Sequence, residues 1–178
     1  MTEEIVAKRH PIGAGGVIQE LGGCIVGIDH IAIAVEDLDE AVDWYVTKLG
    51  FQLQQTRVTR GESTAMISAV LFAGSAVVVL VQGTEPASQV SRFIEKFGPG
   101  VQHFAFTVRD MDEAMQRVTA AGGGADTELI VSPGLKQVFL RRDVGSGVRV
   151  ELIERGGGDF SDESVENLFR DFEARDLY

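Results

Sequence analysis

Three residues in this 178-residue chain have the types and positions needed to bind a metal ion. His30 and His103 occupy the same place in two copies of one segment, and histidine occurs only three times in the chain. Glu151 lies in a strand-like run, VRVELIE, where an unpaired buried carboxylate would be costly. Imidazole and carboxylate groups are common ligands of divalent metals, so the pattern predicts a metal site shared by all three residues.

The two histidines belong to an internal duplication. Residues 28–45, IDHIAIAVEDLDEAVDWY, return as residues 101–118, VQHFAFTVRDMDEAMQRV, with seven of the eighteen positions identical. Two modules related by a pseudo-twofold axis place equivalent strands at equivalent positions around a common cup. We therefore expect His30 and His103 to converge across that cup.

The two copies differ at the position of the carboxylate. Alignment of VLVQG with ELIER makes Val79 the equivalent of Glu151, so no fourth metal ligand is expected from the first copy. Gln82 is the nearest candidate, but it falls on the other face of its strand. Two histidines and one carboxylate with open coordination positions form the ligand set of non-haem Fe(II) oxygenases. Any one of the three residues could instead be a satisfied core histidine or a partly exposed glutamate.

The elements that carry these residues follow from hydrophobic periodicity. Residues 24–35 and 101–108 alternate small or polar residues with bulky apolar ones, which predicts two strands with unlike faces. A helix with an aspartate in capping position follows each strand and is expected to cover its bulky face. Three further strands follow each helix, so each half is expected to be a βαβββ unit.

The predicted fold is therefore α+β, with two βαβββ modules forming a curved mixed-sheet cup and a C-terminal helix. The expected divisions are an N-terminal arm (1–24), the first module (25–86), a linking helix and loop (87–100), the second module (101–155) and a C-terminal lid helix (156–178).

Composition narrows the class of function. The formal net charge is −11 and no basic cluster interrupts it, which argues against a nucleic-acid or anionic-membrane partner and favours a small-molecule ligand. The longest aliphatic run, residues 76–81, is far shorter than the roughly 20 residues of a membrane helix. The lone Cys24 excludes an internal disulfide, and the N-terminus lacks signal-peptide features, so a cytoplasmic location is expected.

The duplicated unit, with DHIAIAV, DLDEAVDWY, HFAF and VELIE, resembles the vicinal oxygen chelate superfamily over roughly residues 25–155. Its metal positions fall on His30, His103 and Glu151. Within the superfamily, the run TEPASQVSRFIEKFGPGVQHFAF and the tail GGGDF with SVENLFRDFE are most similar to the catalytic half of 4-hydroxyphenylpyruvate dioxygenase and hydroxymandelate synthase.

That resemblance implies roles for further residues. Gln102 and Gln137 are implied as catalytic residues that orient the substrate, and Ser68, Thr84, Gln89 and Phe160 as substrate-binding residues. Three departures bear on the substrate: Thr84 stands where the family usually has asparagine, an insertion before the strand of Gln137 is missing, and the family's non-catalytic N-terminal half is absent. None of them affects the metal positions.

The resemblance implies Fe(II)- and O2-dependent oxidative decarboxylation and hydroxylation of an α-keto acid, with a divalent Co, Ni, Zn or Mn ion as the alternative metal. Two other functions stay open at this point. One is a metal-dependent isomerase or lyase, like methylmalonyl-CoA epimerase or glyoxalase, and the other is a binding protein of the bleomycin-resistance type. A homodimer is a further expectation.

Overall fold

A computed structural model describes residues 21–145, 147–157 and 160–178. The predicted N-terminal arm falls almost entirely outside these residues, and only a short 3₁₀ turn, Leu21–Gly23, belongs to its described part. The strands are β1 (Ile25–Ala34), β2 (Gln52–Arg60), β3 (Ala65–Ala73), β4 (Ala76–Gly83), β5 (Gly100–Val108), β6 (Ile130–Ser132), β7 (Leu135–Phe139) and β8 (Arg149–Arg155), and the helices are α1 (Leu38–Leu49), α2 (Gln89–Phe97), α3 (Met111–Ala120) and α4 (Asp162–Ala174).

The eight strands form one mixed sheet in the order β2-β3-β4-β1-β5-β8-β7-β6. The first strands of the two halves, β1 and β5, pair antiparallel at its centre. Each is flanked on its other side by the last strand of its own half, in parallel: β4 beside β1, and β8 beside β5. The predicted α+β fold with a curved mixed sheet is confirmed.

Helices α1 and α3 begin where the sequence predicts. The side chains of Asp37 and Asp110 each accept a hydrogen bond from the backbone N–H three residues on, which satisfies a donor that the first helical turn leaves unpaired. Helix α1 ends at Gly50, whose φ of 74° is readily adopted only without a side chain. Both helix starts are therefore determined by the same capping aspartate, which is present in both copies of the repeat.

Each of these helices covers the bulky face of the strand before it. Leu38 of α1 packs in a cluster with Ile33 and with buried residues of β3 and β4. Met111 of α3 packs with Val108 and with Leu152 of β8. The small-residue face of β1 and β5 stays free of helices α1 and α3 and lines a cavity, as the alternation predicted.

Two strands of the second half, β6 and β7, are shorter than the ranges 127–131 and 136–142 that the hydrophobic periodicity predicts. Residues 127–129 lie outside the sheet because the Thr127 hydroxyl accepts the backbone N–H of Phe139, a side-chain contact in place of a ladder bond. An isolated bridge between Ala125 and Leu140 continues the pairing there, with backbone hydrogen bonds from Asp126 to Phe139 at 2.8 Å and from Arg141 to Gly124 at 2.9 Å. Local side-chain bonds of this kind compete with strand formation.

Helix α4 lies across the mouth of the cup and contacts both edge strands of the sheet, β2 and β6. On the β2 side, the Glu173 carboxylate accepts hydrogen bonds from the backbone N–H of Glu62 (2.7 Å) and of Thr64 (2.9 Å) and from the Thr64 hydroxyl. On the β6 side, Arg175 pairs with Glu128 at 2.7 Å. Both contacts hold the end of α4 in place. None of the helices in the described ranges is long and apolar enough to span a bilayer.

The contact of Glu173 predicts a pH-dependent contribution to stability. Partial burial raises the pKa of this carboxyl, but the hydrogen bonds from Thr64 and the neighbouring backbone outweigh it and lower the pKa. The stabilisation is therefore present above the unfolded value of roughly 4.3 and is lost as pH falls through the lower folded value. Glu173→Gln should lower Tm by about 2 °C at pH 7, a small effect because the group is solvent-accessible.

Thermal melts followed by circular dichroism between pH 3 and pH 7 measure this contribution. The difference between Glu173→Gln and the unmodified chain should shrink toward zero at the acid end. Asp43→Asn, which removes an exposed carboxylate from the middle of α1, is the matched control and should leave Tm unchanged at every pH. A constant difference across the whole pH range would contradict the assignment.

Candidate metal centre

Three side chains from three strands bring their donor atoms together at the floor of the cup. The Nε2 atoms of His30 and His103 are 3.3 Å apart, and the Oε2 atom of Glu151 lies 3.5 Å from the first and 3.6 Å from the second. Nitrogen and oxygen ligands contact a divalent ion at about 2.0 to 2.2 Å, so two ligands of one ion are at most about 4.4 Å apart. All three separations lie below that limit. In the described part of the chain, no other group of three such residues meets this condition.

The register of β1 on β5 explains why the histidines converge. His30 pairs with Ala105, and Ala32 pairs with His103, so the same two positions of the repeat are exchanged between the strands. This reciprocal register places the local twofold axis between the two imidazoles. The small alanine opposite each histidine leaves room for the ring of the other.

A β-bulge precedes each histidine. The pairing of β1 with β5 skips Asp29 on one strand and Gln102 on the other, and an unpaired bulge residue is free to turn its side chain out of strict alternation. Both side chains consequently lie on the cavity side beside the adjacent histidine. Strict alternation would put Gln102 on the opposite face, and the bulge is the reason that it does not lie there.

The two bulge residues contact the other nitrogen of each ring. Asp29 Oδ1 lies 3.0 Å from His30 Nδ1, and Gln102 Oε1 lies 3.1 Å from His103 Nδ1. An acceptor at Nδ1 keeps the proton on that nitrogen and directs the Nε2 lone pair at a metal. Both imidazoles are thus oriented for metal binding through Nε2.

Asp29 is a functional residue that sequence reasoning missed. Its carboxylate also accepts two hydrogen bonds from Arg155, at 2.6 and 2.9 Å, and one from the Thr107 hydroxyl at 3.3 Å. Burial raises its pKa, but the bonds from Arg155 and His30 outweigh this and hold the pKa well below its usual range. The available signal was its place in the repeat, since Asp29 and Gln102 are equivalent polar residues directly before the histidines.

The electrostatics of the three donors fit a cation. Burial lowers the pKa of His103 well below its usual range, with repulsion from neighbouring positive groups acting in the same direction. Burial also raises the pKa of Glu151 to about 7, although attraction to His30 opposes it. The Glu151 Oε1 atom is buried and has no hydrogen-bond partner among the described residues. A neutral imidazole and a carboxylate with an unused oxygen are suited to a divalent ion.

The strand position that holds Glu151 in the second half has no metal ligand in the first half, as the alignment predicts. Glu151 pairs with Ala105, and Val79 pairs with Ala32, so the two residues are equivalent across the duplication. Val79 lines the cavity but offers no ligand atom. Gln82 lies on the opposite face, where its side-chain oxygen accepts the backbone N–H of Leu38 at 2.8 Å.

The donors open into a cavity of about 460 Å³ between the sheet and α4. Of the residues expected to bind substrate, Ser68, Gln89, Gln137 and Phe160 line it together with Gln102. The Phe160 ring lies 5.7 Å from that of His30, edge on. Gln137 is fully buried; its nitrogen donates to the Ser164 carbonyl at 3.4 Å, and its Oε1 has no partner among the described residues.

Thr84 is not among the residues that line the cavity. Its hydroxyl donates to the carbonyl of Ala65 at 3.0 Å and to the carboxylate of Glu85 at 2.7 Å. These bonds hold it at the end of β4, beside the start of β3. The expectation that Thr84 contacts substrate stays a prediction; in the structure its hydroxyl makes these two contacts, outside the described lining of the cavity.

The cavity wall also contains arginines that the sequence reasoning passed over. Four of them line it: Arg57, Arg142, Arg149 and Arg155. Of the two carboxylates in the same wall, Glu151 lies beside both histidines, and Asp29 is shared between His30 and Arg155. The wall thus presents an excess of positive charge in a chain whose net charge is −11.

The contact between Asp29 and His30 predicts a loss of metal affinity on mutation. Asp29→Ala should weaken binding of a divalent ion about 10- to 100-fold, because His30 would lose the acceptor that orients its ring. Competition with a metal-binding dye measures the dissociation constant. Asp43→Ala, an exposed aspartate of α1, is the matched control and should leave it unchanged. Equal affinity in the Asp29 variant would refute the orienting role.

Comparisons of sequence and of structure relate this chain to known proteins. Residues 27–152 match the model of the Glyoxalase/Bleomycin resistance protein/Dioxygenase superfamily. The uncharacterised protein YqjC of Bacillus subtilis is 31% identical over 137 residues, which cover 73% of this chain and 93% of that protein.

Two solved structures are similar as well. Methylmalonyl-CoA epimerase from Mycobacterium tuberculosis is 29% identical with a TM-score of 0.63, over 74% of this chain and 89% of that one. A triple mutant of 4-hydroxymandelate synthase from Streptomyces coelicolor shares the fold, with a TM-score of 0.72 at 20% identity, over 84% of this chain and 54% of that one. The chain belongs to the glyoxalase, bleomycin-resistance and dioxygenase superfamily, whose fold is that of the vicinal oxygen chelate proteins.

Proposed function

We propose that the protein is a non-haem Fe(II), O2-dependent enzyme that oxidatively decarboxylates and hydroxylates an α-keto acid. The observation that carries this proposal is the donor set of two histidines and one glutamate, with Val79 at the position equivalent to Glu151. Three protein ligands leave half of an octahedral ion's positions open to small molecules. In the net reaction, one oxygen atom enters the carboxylate left after loss of CO2 and the other becomes the new hydroxyl.

The residues present fit an iron ion. His30, His103 and Glu151 would hold it, and Glu151 Oε1 is a buried acceptor with no hydrogen-bond partner in the described part of the chain. Iron bound there would supply the redox chemistry and the positive charge that brings the keto acid and O2 together. Asp29 and Gln102 keep the two imidazoles oriented, and their contacts do not depend on the identity of the metal.

Polar side chains around the donors would bind and orient the substrate. Gln137 Oε1 is buried and has no partner within the described ranges, so it can accept a hydrogen bond from a substrate hydroxyl without first losing another bond. Ser68 and Gln89 are also buried in the wall and can add directional contacts. A cavity of about 460 Å³ suits a ligand of the size of an aryl or alkyl keto acid.

The aromatic residues over the donors would exclude water. Phe160 stands edge on to His30, and Phe139 stands edge on to both His103 and Phe172 of α4. These rings connect the donors to the helix that lies across the cup. A dry site protects reactive oxygen chemistry from solvent, and α4 is the element that would have to move to admit a substrate.

A second candidate is a metal-dependent epimerase, isomerase or lyase. Identity of 29% with methylmalonyl-CoA epimerase over 89% of that chain favours it. Proton transfer at carbon needs a base within reach of the substrate. The carboxylates among the described cavity-lining residues are Asp29, which is held by Arg155, and Glu151, which is a metal donor; Glu62 lies outside that wall. This lack of a free base makes the oxygenase the better supported proposal.

A non-catalytic binding protein of the bleomycin-resistance type is the third candidate. It would not need a carboxylate buried against two histidines, because that arrangement is costly without a metal. The expected homodimer stays a prediction.

Anaerobic reconstitution with Fe(II), a panel of arylpyruvates and aliphatic 2-oxo acids, and then admission of O2 tests the proposal. We expect O2 uptake with equimolar release of CO2, measured with an oxygen electrode and by trapping of CO2. His103→Ala and Glu151→Ala should each reduce turnover by at least about a hundredfold, because two protein donors hold the ion poorly. Glu36→Ala, an exposed glutamate before α1, is the matched control.

The alternatives give different results in the same preparations. Exchange of the α-proton of an acyl-CoA in deuterated water, with no turnover of any keto acid, would establish the epimerase type and exclude the oxygenase. Absence of metal after reconstitution, together with tight binding of a drug, would establish the binding protein.

A further inference from the structure

Arg149 lies in the cavity wall with most of its hydrogen-bonding capacity unused. Only 4% of its surface is exposed, yet its Nε and Nη1 atoms have no partner among the described residues. Its one charged contact is from Nη2 to Asp126 at 3.2 Å. Nothing in the proposed reaction at the metal centre uses this residue, and the sequence did not indicate it.

A buried cation in this state is costly. An unpaired buried donor loses its hydrogen bonds to water and gains no others in exchange. A single contact with a carboxylate offsets only a small part of that loss of free energy. The ring of Phe172 from α4 lies 5.1 Å from the guanidinium and shields it from solvent. An arginine guanidinium keeps its charge at neutral pH even when it is buried. The arrangement is suited to an anion that enters the cavity.

The position of Arg149 relative to the metal donors limits what that anion can be. Arg149 and Glu151 are two residues apart on the same face of β8, which separates their backbones by about 7 Å. Arg149 is also the cross-strand neighbour of His103 on β5. A molecule held at the metal donors therefore reaches Arg149 with a group a few bonds further along its chain.

The surrounding charge favours a negative group there. Arg142 lines the same cavity and repels Arg149, which favours an anion beside Arg149. The Arg142 guanidinium itself donates to the backbone oxygens of Gly147 and Tyr178. Asp126 is the nearest counter-ion, and it is partly exposed rather than enclosed with the guanidinium. Carboxylate oxygens are the acceptors that match arginine donors in charge and geometry.

We propose that Arg149 binds a second carboxylate of the substrate, so that the α-keto acid is a dicarboxylate with one acidic end at the metal donors and the other at this arginine. This inference rests on the proposed function for the keto-acid end only. Arg149 is a specificity-determining residue: it selects substrates with a distal acid over neutral ones of the same length and shape.

Matched pairs of ligands test this preference by isothermal titration calorimetry without turnover. Under anaerobic conditions the Fe(II)-loaded protein is titrated with 2-oxoadipate and 2-oxohexanoate, and with 4-carboxyphenylpyruvate and 4-methylphenylpyruvate. We expect the diacid of at least one pair to bind about 10- to 100-fold more tightly than its neutral partner, the range of a charge-assisted hydrogen bond. Arg149→Met should abolish that preference and leave binding of the neutral partner within a factor of about three.

Two controls accompany the variant. Arg109→Met removes an exposed arginine that does not line the cavity and should keep the full preference. Asp126→Asn removes the competing counter-ion of Arg149 and should strengthen binding of the diacid. Thermal melts establish that each variant is folded, and the comparison of paired ligands on the unmodified protein decides the question even without a folded Arg149 variant.

A third pair, adipate and hexanoate titrated into the metal-free protein, separates this inference from the proposed function. If no 2-oxo acid binds but adipate binds better than hexanoate and loses that advantage in Arg149→Met, the oxygenase proposal fails and the anion site stands. If neutral and dicarboxylic ligands bind equally in all three pairs, or if Arg149→Met weakens both members equally, the anion site is refuted. Absence of binding by every acid refutes both.

Discussion

The antiparallel pairing of β1 with β5 is the interaction on which the rest of this structure depends. It joins the two halves of the sheet, and its reciprocal register brings the same histidine of each repeat to the local twofold axis. A shift of one residue in this pairing would turn the histidine of one strand to the helix-covered face and leave the other in the cup, because side chains alternate with a period of two. The candidate metal centre is therefore a product of strand register between the copies, and neither copy could form it alone.

Bulges allow one strand to present two consecutive polar residues to the same site. In a regular strand, Asp29 and Gln102 would face away from the histidines that follow them. The skipped pairing at each position turns the side chain to the Nδ1 atom of its neighbour, where it sets the orientation of the ring. The two orienting residues differ in charge, and the carboxylate copy is further held by Arg155. The duplication thus preserved the geometry while the chemistry of the two copies diverged.

The difference between the two halves also determines how many metal ligands the protein can offer. One half supplies a glutamate and the other a valine at equivalent places, so an ion held by the three donors would keep positions open toward the cavity. Charge in the cavity diverged as well: its wall is rich in arginine although the chain is acidic. Helix α4 contacts both edge strands of the sheet and closes the cavity over the donors. Access to the donors therefore depends on the contacts that the C-terminal end of α4 makes.

The sequence by itself determined the fold class and the starts of α1 and α3, because these depend on periodicity and capping along the chain. It also determined the convergence of His30 and His103 and the lack of a carboxylate in the first half at the position equivalent to Glu151, because these follow from the repeat. Thr84 was placed in the cavity only by analogy, and the structure puts it at the end of β4. The roles of the bulge residues and of the arginine-rich wall were decided by tertiary structure alone. Bulges arise from how two strands register, and a buried charge is recognised only when the groups around it are known, so neither leaves a local pattern to detect.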